Sequence, residues 1–461
     1  MFRIQAKITP SFFEALLLVG VIIATMGISI AKFDAVPHMP IIMSILLLIA
    51  YGLIKKVSYK QLEEGLVEGS RAGLSAIFIF FFIGILISSW MMGGTIPTMI
   101  YLGFQTITPH FFFAVVFLVT CIVGVAIGSS LTTTATVGVA FIGMASAMDI
   151  SLAITAGAIV SGAFFGDKMS PLSDTTNLSS AIVGVDLFEH IKNMGWTTIP
   201  AFFISLIVYG VISPNKELQH ADKIDSFQNG LLQTGMVHWY TLIPLVVLIV
   251  FTFKKTPAII TLAVSSISAI IVSYFHTQFG FSEIMDILFN GFKSTTGIED
   301  IDSLLSRGGI NSMMFTIGLV LLALSMGGLL FTLGIVQALL SKVESFFKST
   351  GSVITGAAVT AIGINTLIGE QYLSILLTGE AFQAQFKKVG LKSKNLARVM
   401  EDAGTVVNPL VPWSVCGIFI TNVLGVSTWA YLPFALFCLL SPILTILFGW
   451  TGKTLSYIDE K

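Results

Sequence analysis

Mainly apolar residues run from Phe12 to Ala31, and runs of similar length recur at 39–54, 73–92, 196–214, 237–253, 256–275, 313–336 and 430–450. About 20 mainly apolar residues cross a bilayer, so each run predicts a membrane-spanning helix. Two longer blocks lie among them, 109–185 and 349–426, apolar overall but broken by Gly, Ser, Thr, Pro and acids. The stretches that read as water-exposed are short: 55–72, 215–235 and 276–311. Within and beside them, 58–72 and 186–193 predict short surface helices.

Composition agrees with that pattern. Of 461 residues, 55% are hydrophobic and only 11% charged, with a mean hydropathy of +0.91. A soluble domain carries about a quarter charged residues, so the solvent for this chain is lipid. Arg3 and Lys7 before the first run resemble the start of a secretory leader, but no small-residue cleavage site follows, and the run reads as a first, uncleaved span. Cys121, Cys416 and Cys438 all sit in apolar stretches and the six histidines are scattered, which argues against a disulfide framework, a metal centre or a cofactor site. A net charge of −1 with no basic cluster gives no reason to expect a nucleic-acid partner.

The two polar blocks are related. Residues 127–185 align without a gap on 368–426, a constant shift of 241 (368 − 127), with matches concentrated at backbone-breaking positions: Gly128 on Gly369, Gly138 on Gly379, Pro171 on Pro412, Ser173 on Ser414 and Gly184 on Gly425. Upstream, Met92-Gly93-Gly94 matches Met326-Gly327-Gly328, glycines that suit close helix packing. Basic residues prefer cytoplasmic loops. An inner N-terminus puts Lys55, Lys56, Lys60, Lys254, Lys255, Lys387 and Lys388 inside and Lys32, Lys216, Lys223, Lys293 and Arg307 outside. Both ends of 349–392 carry lysines and 109–149 carries none, the asymmetry an inverted repeat requires. The expected fold is an all-α polytopic membrane protein. It has about ten transmembrane helices and two re-entrant hairpins in an inverted five-crossing repeat. The first repeat covers 1–215, with hairpin 109–149 and broken helix 150–185; an external linker covers 216–236. The second covers 237–461, with hairpin 349–392 and broken helix 395–426, and both termini are cytoplasmic. Ordinary helix pairs in place of the hairpins would keep the same inside–outside map.

Irregular backbone at membrane depth survives where protein shields it or where it lines a cavity, and in transporters such breaks expose groups that hold ions. Four segments qualify: Gly128 to Thr134, with Ser129 and Thr132; Gly166 to Asn177; Gly369-Glu370-Gln371; and Asn408 to Ser414. In the second, Pro171 disrupts the turn, and Asp174 with Ser173, Thr175 and Asn177 offers the carboxylate, hydroxyl and amide oxygens that hard cations prefer. Asp174 is therefore the carboxylate expected to matter most. A capped helix start at Ser173 or Asp174 explains the same residues without a ligand.

Charge narrows the chemistry. Asp167, Asp174, Glu370, Glu380, Glu401 and Asp402 lie in the polar blocks, and of the bases only Lys168 and Arg398 fall within membrane segments to oppose them. Asp167 is expected to pair with Lys168, and Glu401 or Asp402 with Arg398. An unpaired acid at bilayer depth costs roughly 2.5–3.5 kcal/mol on insertion scales, so the remainder are expected to serve function, with Glu380 equally placed to be solvated on a hairpin arm. A carboxylate that holds either a proton or a sodium ion couples their flows. The candidate cation- and proton-binding set is Asp167, Asp174, Ser173, Thr175, Asn177, Ser129, Thr132, Glu370, Gln371, Glu401, Asp402, Asn408 and Ser414.

At these residues the chain resembles the NhaC family of sodium/proton antiporters. Gly162-Ala163-Phe164-Phe165-Gly166-Asp167-Lys168-Met169-Ser170-Pro171-Leu172-Ser173-Asp174-Thr175-Thr176-Asn177 looks like that family's signature, and Glu401-Asp402-Ala403-Gly404-Thr405 through Asn408-Pro409-Leu410-Val411-Pro412-Trp413 like its second block. The resemblance runs over nearly the whole chain. It implies exchange of external protons for internal sodium, pH and salt homeostasis in a bacterial plasma membrane, and an elevator-like transport domain on a homodimeric scaffold. The family also contains an exchanger of malate and protons for lactate and sodium, so malate and lactate stand as alternative partners. An intramembrane enzyme is disfavoured, since no metal site, paired-aspartate or serine–base arrangement accompanies the acids. A passive channel is disfavoured because buried carboxylates suit stoichiometric coupling.

Overall fold

A computed structural model describes residues 5–33, 35–71, 73–106, 110–214, 221–341 and 349–458. Arg3, Lys216, the lysines just before residue 349 and the first residue of the 109–149 segment lie outside the described residues.

Helices account for nearly every apolar run. The first four are α1 (Phe12–Phe33), α2 (His38–Ile54), α3 (Tyr59–Arg71) and α4 (Leu74–Met92), followed by α5 (Thr95–Thr106). A hairpin follows, α6 (Phe112–Ile127) and α7 (Ser130–Ala147), then a broken helix, α8 (Leu152–Met169) and α9 (Asp174–Val183). Next come α10 (Leu187–Ile212), α11 (Ala221–Gln233), α12 (Trp239–Phe253), α13 (Ala258–Ser273), α14 (Phe281–Asn290) and α15 (Glu299–Leu305). The chain continues as α16 (Ile310–Thr332), α17 (Ile335–Leu340) and a second hairpin, α18 (Thr350–Ile368) and α19 (Gln371–Lys388). A second broken helix, α20 (Ser393–Leu410) and α21 (Val415–Leu424), precedes α22 (Thr428–Phe434) and α23 (Leu436–Thr451). The described residues contain only an isolated β-bridge, Leu391 to Tyr457.

Among the described residues, seven helices are long and apolar enough to cross a membrane, or up to nine if each bent pair is one span; α2, α6, α12 and α13 are shorter apolar helices. Large apolar side chains point outward along α10 (Ile199, Phe203, Ile207, Val211) and α13 (Ile260, Ile267, Ile271), as a lipid-facing surface requires. Residues 186–193 are not a separate surface helix. They cap and begin the 26-residue α10, with the Asp186 carboxylate accepting the amides of Phe188 and Glu189. Asp186, Glu189 and Lys192 stay at the surface, while His190 and Asn193 are buried and the Asn193 amide donates to the Lys394 carbonyl.

The polar segment 58–72 does form a helix, α3, but it lies tightly along α16. Glycines make that approach possible. A Cβ on Gly328 would sit 2.1 Å from the Gly65 carbonyl oxygen, and one on Gly69 would sit 2.3 Å from that of Leu324. Gly328→Ala is therefore expected to destabilise the protein by about 1–3 kcal/mol, because backbone on both sides leaves no flexible side chain to yield. A melting curve of the detergent-purified variant checks this, and an unchanged midpoint would contradict the packing.

The hairpins and broken helices have matching local structure at the 241-residue shift. Gly128 and Gly369 both close a helix in the left-handed region, with φ of 69° and 76°, where a side chain would be strained. Ser129 and Glu370 then cap the next helix, and Ser173 and Ser414 cap the helices after the two breaks. Turns rather than apolar periodicity define the polar blocks.

Candidate functional site

The first hairpin is wedged against the first broken helix. Gly124 of α6 and Gly166 of α8 let the two backbones touch: a Cβ on Gly166 would lie 2.4 Å from the Gly124 backbone. The break itself is knitted by side chains onto carbonyls that Pro171 and the helix end leave free. Ser170 donates to Val125, Thr176 to Asp167 and Lys168, and Asn177 to Pro171 and Ser173. Ser173 caps α9, which begins at Asp174, so the plain capping role holds locally. Its hydroxyl lies 3.0 Å from that of Thr175.

This scaffold holds Asp167 at the end of α8 with 5% of its surface exposed. Its carboxylate accepts a short hydrogen bond, 2.7 Å, from the Ser130 hydroxyl at the start of α7, and the Ser130 amide and Ser173 hydroxyl also face it. The first turn of α7, with its partly positive N-terminus, is thus brought to a buried acid. The acid lines a cavity of about 360 Å³, walled also by Thr132, Asp174, Gln371, Tyr372 and Lys255. Asp167 sits in its depth, whereas Asp174 is exposed at its mouth, and the Lys255–Pro257 turn between α12 and α13 forms the facing wall. Gln371 belongs to the tip of the second hairpin, so the first break and the second tip meet at one cavity.

Of the residues expected at the site, Asp167, Asp174, Thr175, Asn177, Ser129, Thr132 and Gln371 share this cavity. Ser173 is buried behind its wall. Glu370 is occupied in capping, accepting the Leu373 amide at 2.7 Å. Asn408 and Ser414 form a separate knot: Asn408 donates to Asn365 and accepts the Cys416 amide, while Ser414 donates to the Asn408 carbonyl. Glu401 and Asp402 lie beyond the cavity wall, where Glu401 accepts from Ser179 at 2.7 Å. Glu380 is exposed on its hairpin arm.

The charge pairing differs from expectation. Lys168 forms a fully buried ion pair with Asp402, not with Asp167. Adjacent helical residues point about 100° apart and cannot face each other, so Asp167 turns to the cavity while Lys168 turns to α20. Asp402 also accepts from Thr197 of α10 at 3.1 Å and from Thr445 of α23 at 2.6 Å. Arg398 pairs with neither Glu401 nor Asp402; it donates to the backbone and hydroxyl of Thr454, both at 3.3 Å. A π-helical stretch, Met400–Thr405, widens the turn and swings the two acids away from the arginine one turn earlier. Ser130 stood inside the polar stretch read from the sequence but was not singled out. Thr197, Thr445, Ser179 and Asn365 sit in helices where nothing local marks them.

The profile of the Na+/H+ antiporter family matches residues 4–176 and 162–453. The Na(+)/H(+) antiporter NhaC of Alkalihalophilus pseudofirmus is 40% identical over 449 residues, spanning 97% of each chain. NhaC of Bacillus subtilis is 38% identical over 421 residues, covering 90% of this chain and 93% of its own. The malate-2H(+)/Na(+)-lactate antiporter of Bacillus subtilis is 33% identical over 453 residues, covering 97% and 96%. These relatives are transporters rather than enzymes. With its many apolar helices and the near-complete match along its length, the chain is a multi-pass membrane protein that belongs to the Na+/H+ antiporter family.

Proposed function

We propose that this chain exchanges sodium for protons across a bacterial plasma membrane, and that Asp167 is the group for which the two cations compete. The observation that carries this reading is a buried carboxylate, without an ion pair among the described residues, beside the Ser130 hydroxyl in a polar cavity built by two broken elements. A carboxylate with hydroxyl neighbours suits a hard cation, and the same oxygens hold a proton when the cation leaves. Asp402, held by Lys168 and two threonines, is already neutralised. In this reading both termini and the Lys255 mouth face the cytoplasm, and an inverted repeat moves as an elevator within a homodimer.

Proteoliposomes holding a pH-sensitive dye test the reading. Sodium alone is expected to collapse an imposed pH gradient, with malate and lactate adding nothing. Collapse that requires either acid would favour the carboxylate exchange of the third relative, for which Lys255 at the mouth offers a cationic contact. Asp174, exposed at the entrance, concentrates cations without enclosing them. Asp174→Asn is expected to raise the half-saturating sodium concentration about two- to fivefold and leave the maximal rate nearly unchanged. Sodium titrations of the same dye signal read this out.

A further inference from the structure

A second cavity, about 400 Å³, lies at the other end of the same elements. Ile79 of α4 borders the first cavity and Ile87 the second, eight residues or about 12 Å apart along the helix. On α7, Thr132 borders the first cavity and Val139, seven residues further on, the second. The chemistry is reversed. Lys293 and Arg307 line the second cavity, and no acidic side chain among the described residues does.

Its walls are built rather than loose. Gly291, Gly308 and Gly309 take φ of 95°, 88° and 82°, and a Cβ on Gly308 would lie 2.5 Å from the Ser88 amide nitrogen. The Phe292 amide donates to the Arg307 carbonyl and the Gly309 amide to that of Gly84, locking two loops against α4. Arg307 is only partly exposed. The one hydrogen bond its guanidinium makes among the described residues is a long one, 3.5 Å, to the Val423 carbonyl at the end of α21. Two nearby acids among the described residues are engaged elsewhere: Asp302 accepts from Ser294, Thr296 and Gly297, and Asp286 from Asn290. The first turn of α16 opens onto the same space through Ser312, its N-cap is Gly309 with no capping side chain, and its leading amides add positive potential. A partly exposed guanidinium, with most of its donors uncommitted among the described residues, suits an anion with paired oxygens.

We propose that the cavity between Arg307, Lys293 and the first turn of α16 binds a small oxyanion, a carboxylate or a phosphate group. Such an anion bridges the loops at Lys293 and Arg307 and the first turn of α16 to the end of the second broken helix, so its binding stiffens the junction between them. The site goes beyond cation exchange and uses none of the residues assigned to it.

The test uses the full chain in nanodiscs of zwitterionic lipid, with melting followed against added phosphate or malate and chloride as the control. Phosphate or malate is expected to raise the melting midpoint, while chloride does little. Arg307→Gln is expected to shift the half-effective concentration upward by about tenfold or more, from loss of charged hydrogen bonds. Arg307→Lys, which keeps the charge, is expected to retain weaker binding, and the midpoint without anion reports whether each variant folds. If the phosphate belongs to a lipid, nanodiscs containing phosphatidylglycerol will raise the midpoint of the wild type alone and blunt the response to free phosphate. No shift with phosphate, malate or phosphatidylglycerol, or equal shifts in the wild type and Arg307→Gln, overturns the proposal.

Discussion

Asp167→Asn is expected to abolish sodium-driven proton movement while leaving a folded protein. The two side chains are nearly the same shape, and the asparagine oxygen can still accept from Ser130. No countercharge is stranded, because Lys168 is held by Asp402 on another face of the helix. What disappears is the one negative charge buried in the cavity and the oxygen that could carry the proton. Ligand charge sets the affinity of hard-cation sites over several orders of magnitude, so exchange is expected to fall on the order of a hundredfold or more. Asp167→Glu keeps the charge but moves it by one methylene, and is expected to keep partial activity. Both variants are read by sodium-driven dye signals in proteoliposomes, with the melting midpoint as the folding control. Wild-type exchange by a folded Asp167→Asn protein would remove this residue from the transport site.

The sequence points to Asp174 at least as strongly as to Asp167, and the reason lies in what a linear reading can detect. Asp174 stands among Ser173, Thr175 and Asn177, so composition marks it. Burial is decided by the break between the two acids. The turn at Ser170 to Ser173 leaves Asp167 inside, on the last turn of α8, and starts α9 with Asp174 at the mouth. The tips and breaks themselves were legible, because Gly128, Gly369, Pro171 and the capping serines have backbone roles that residue type reveals. The apolar spans were legible because lipid demands them. Partnerships across the chain were not. Lys168 and Asp402 lie 234 residues apart, and short-range spacing suggested nearer partners for both. The fit of α3 into α16 was hidden likewise, since Gly65 and Gly69 look like ordinary members of a polar helix until Gly328 is placed against them.

The Lys168–Asp402 pair should dominate stability rather than ion choice. Both side chains are fully buried, and the pair ties the first broken helix to the second, with Thr197 and Thr445 bringing in α10 and α23. Removing one partner of a buried pair leaves the other charge in a low-dielectric interior, at a cost of roughly 3–5 kcal/mol, whereas replacing both with apolar residues of similar size is often close to neutral. Lys168→Met is therefore expected to lower the melting midpoint sharply, because Asp402 then keeps only two neutral hydroxyl donors. Asp402→Leu alone should be as damaging, leaving a lysine with no anion. The double variant is expected to recover most of the lost stability, although Thr197 and Thr445 would lose their acceptor and hold back part of it. A double-mutant cycle on melting midpoints measures the coupling directly. Additive effects would mean that the two charges are not paired in the membrane. Recovery of stability with sodium exchange intact would assign the pair to architecture and leave Asp167 to carry the coupling. Recovery of stability without exchange would mean that the lysine beside Asp167 also sets the field in which sodium and proton compete.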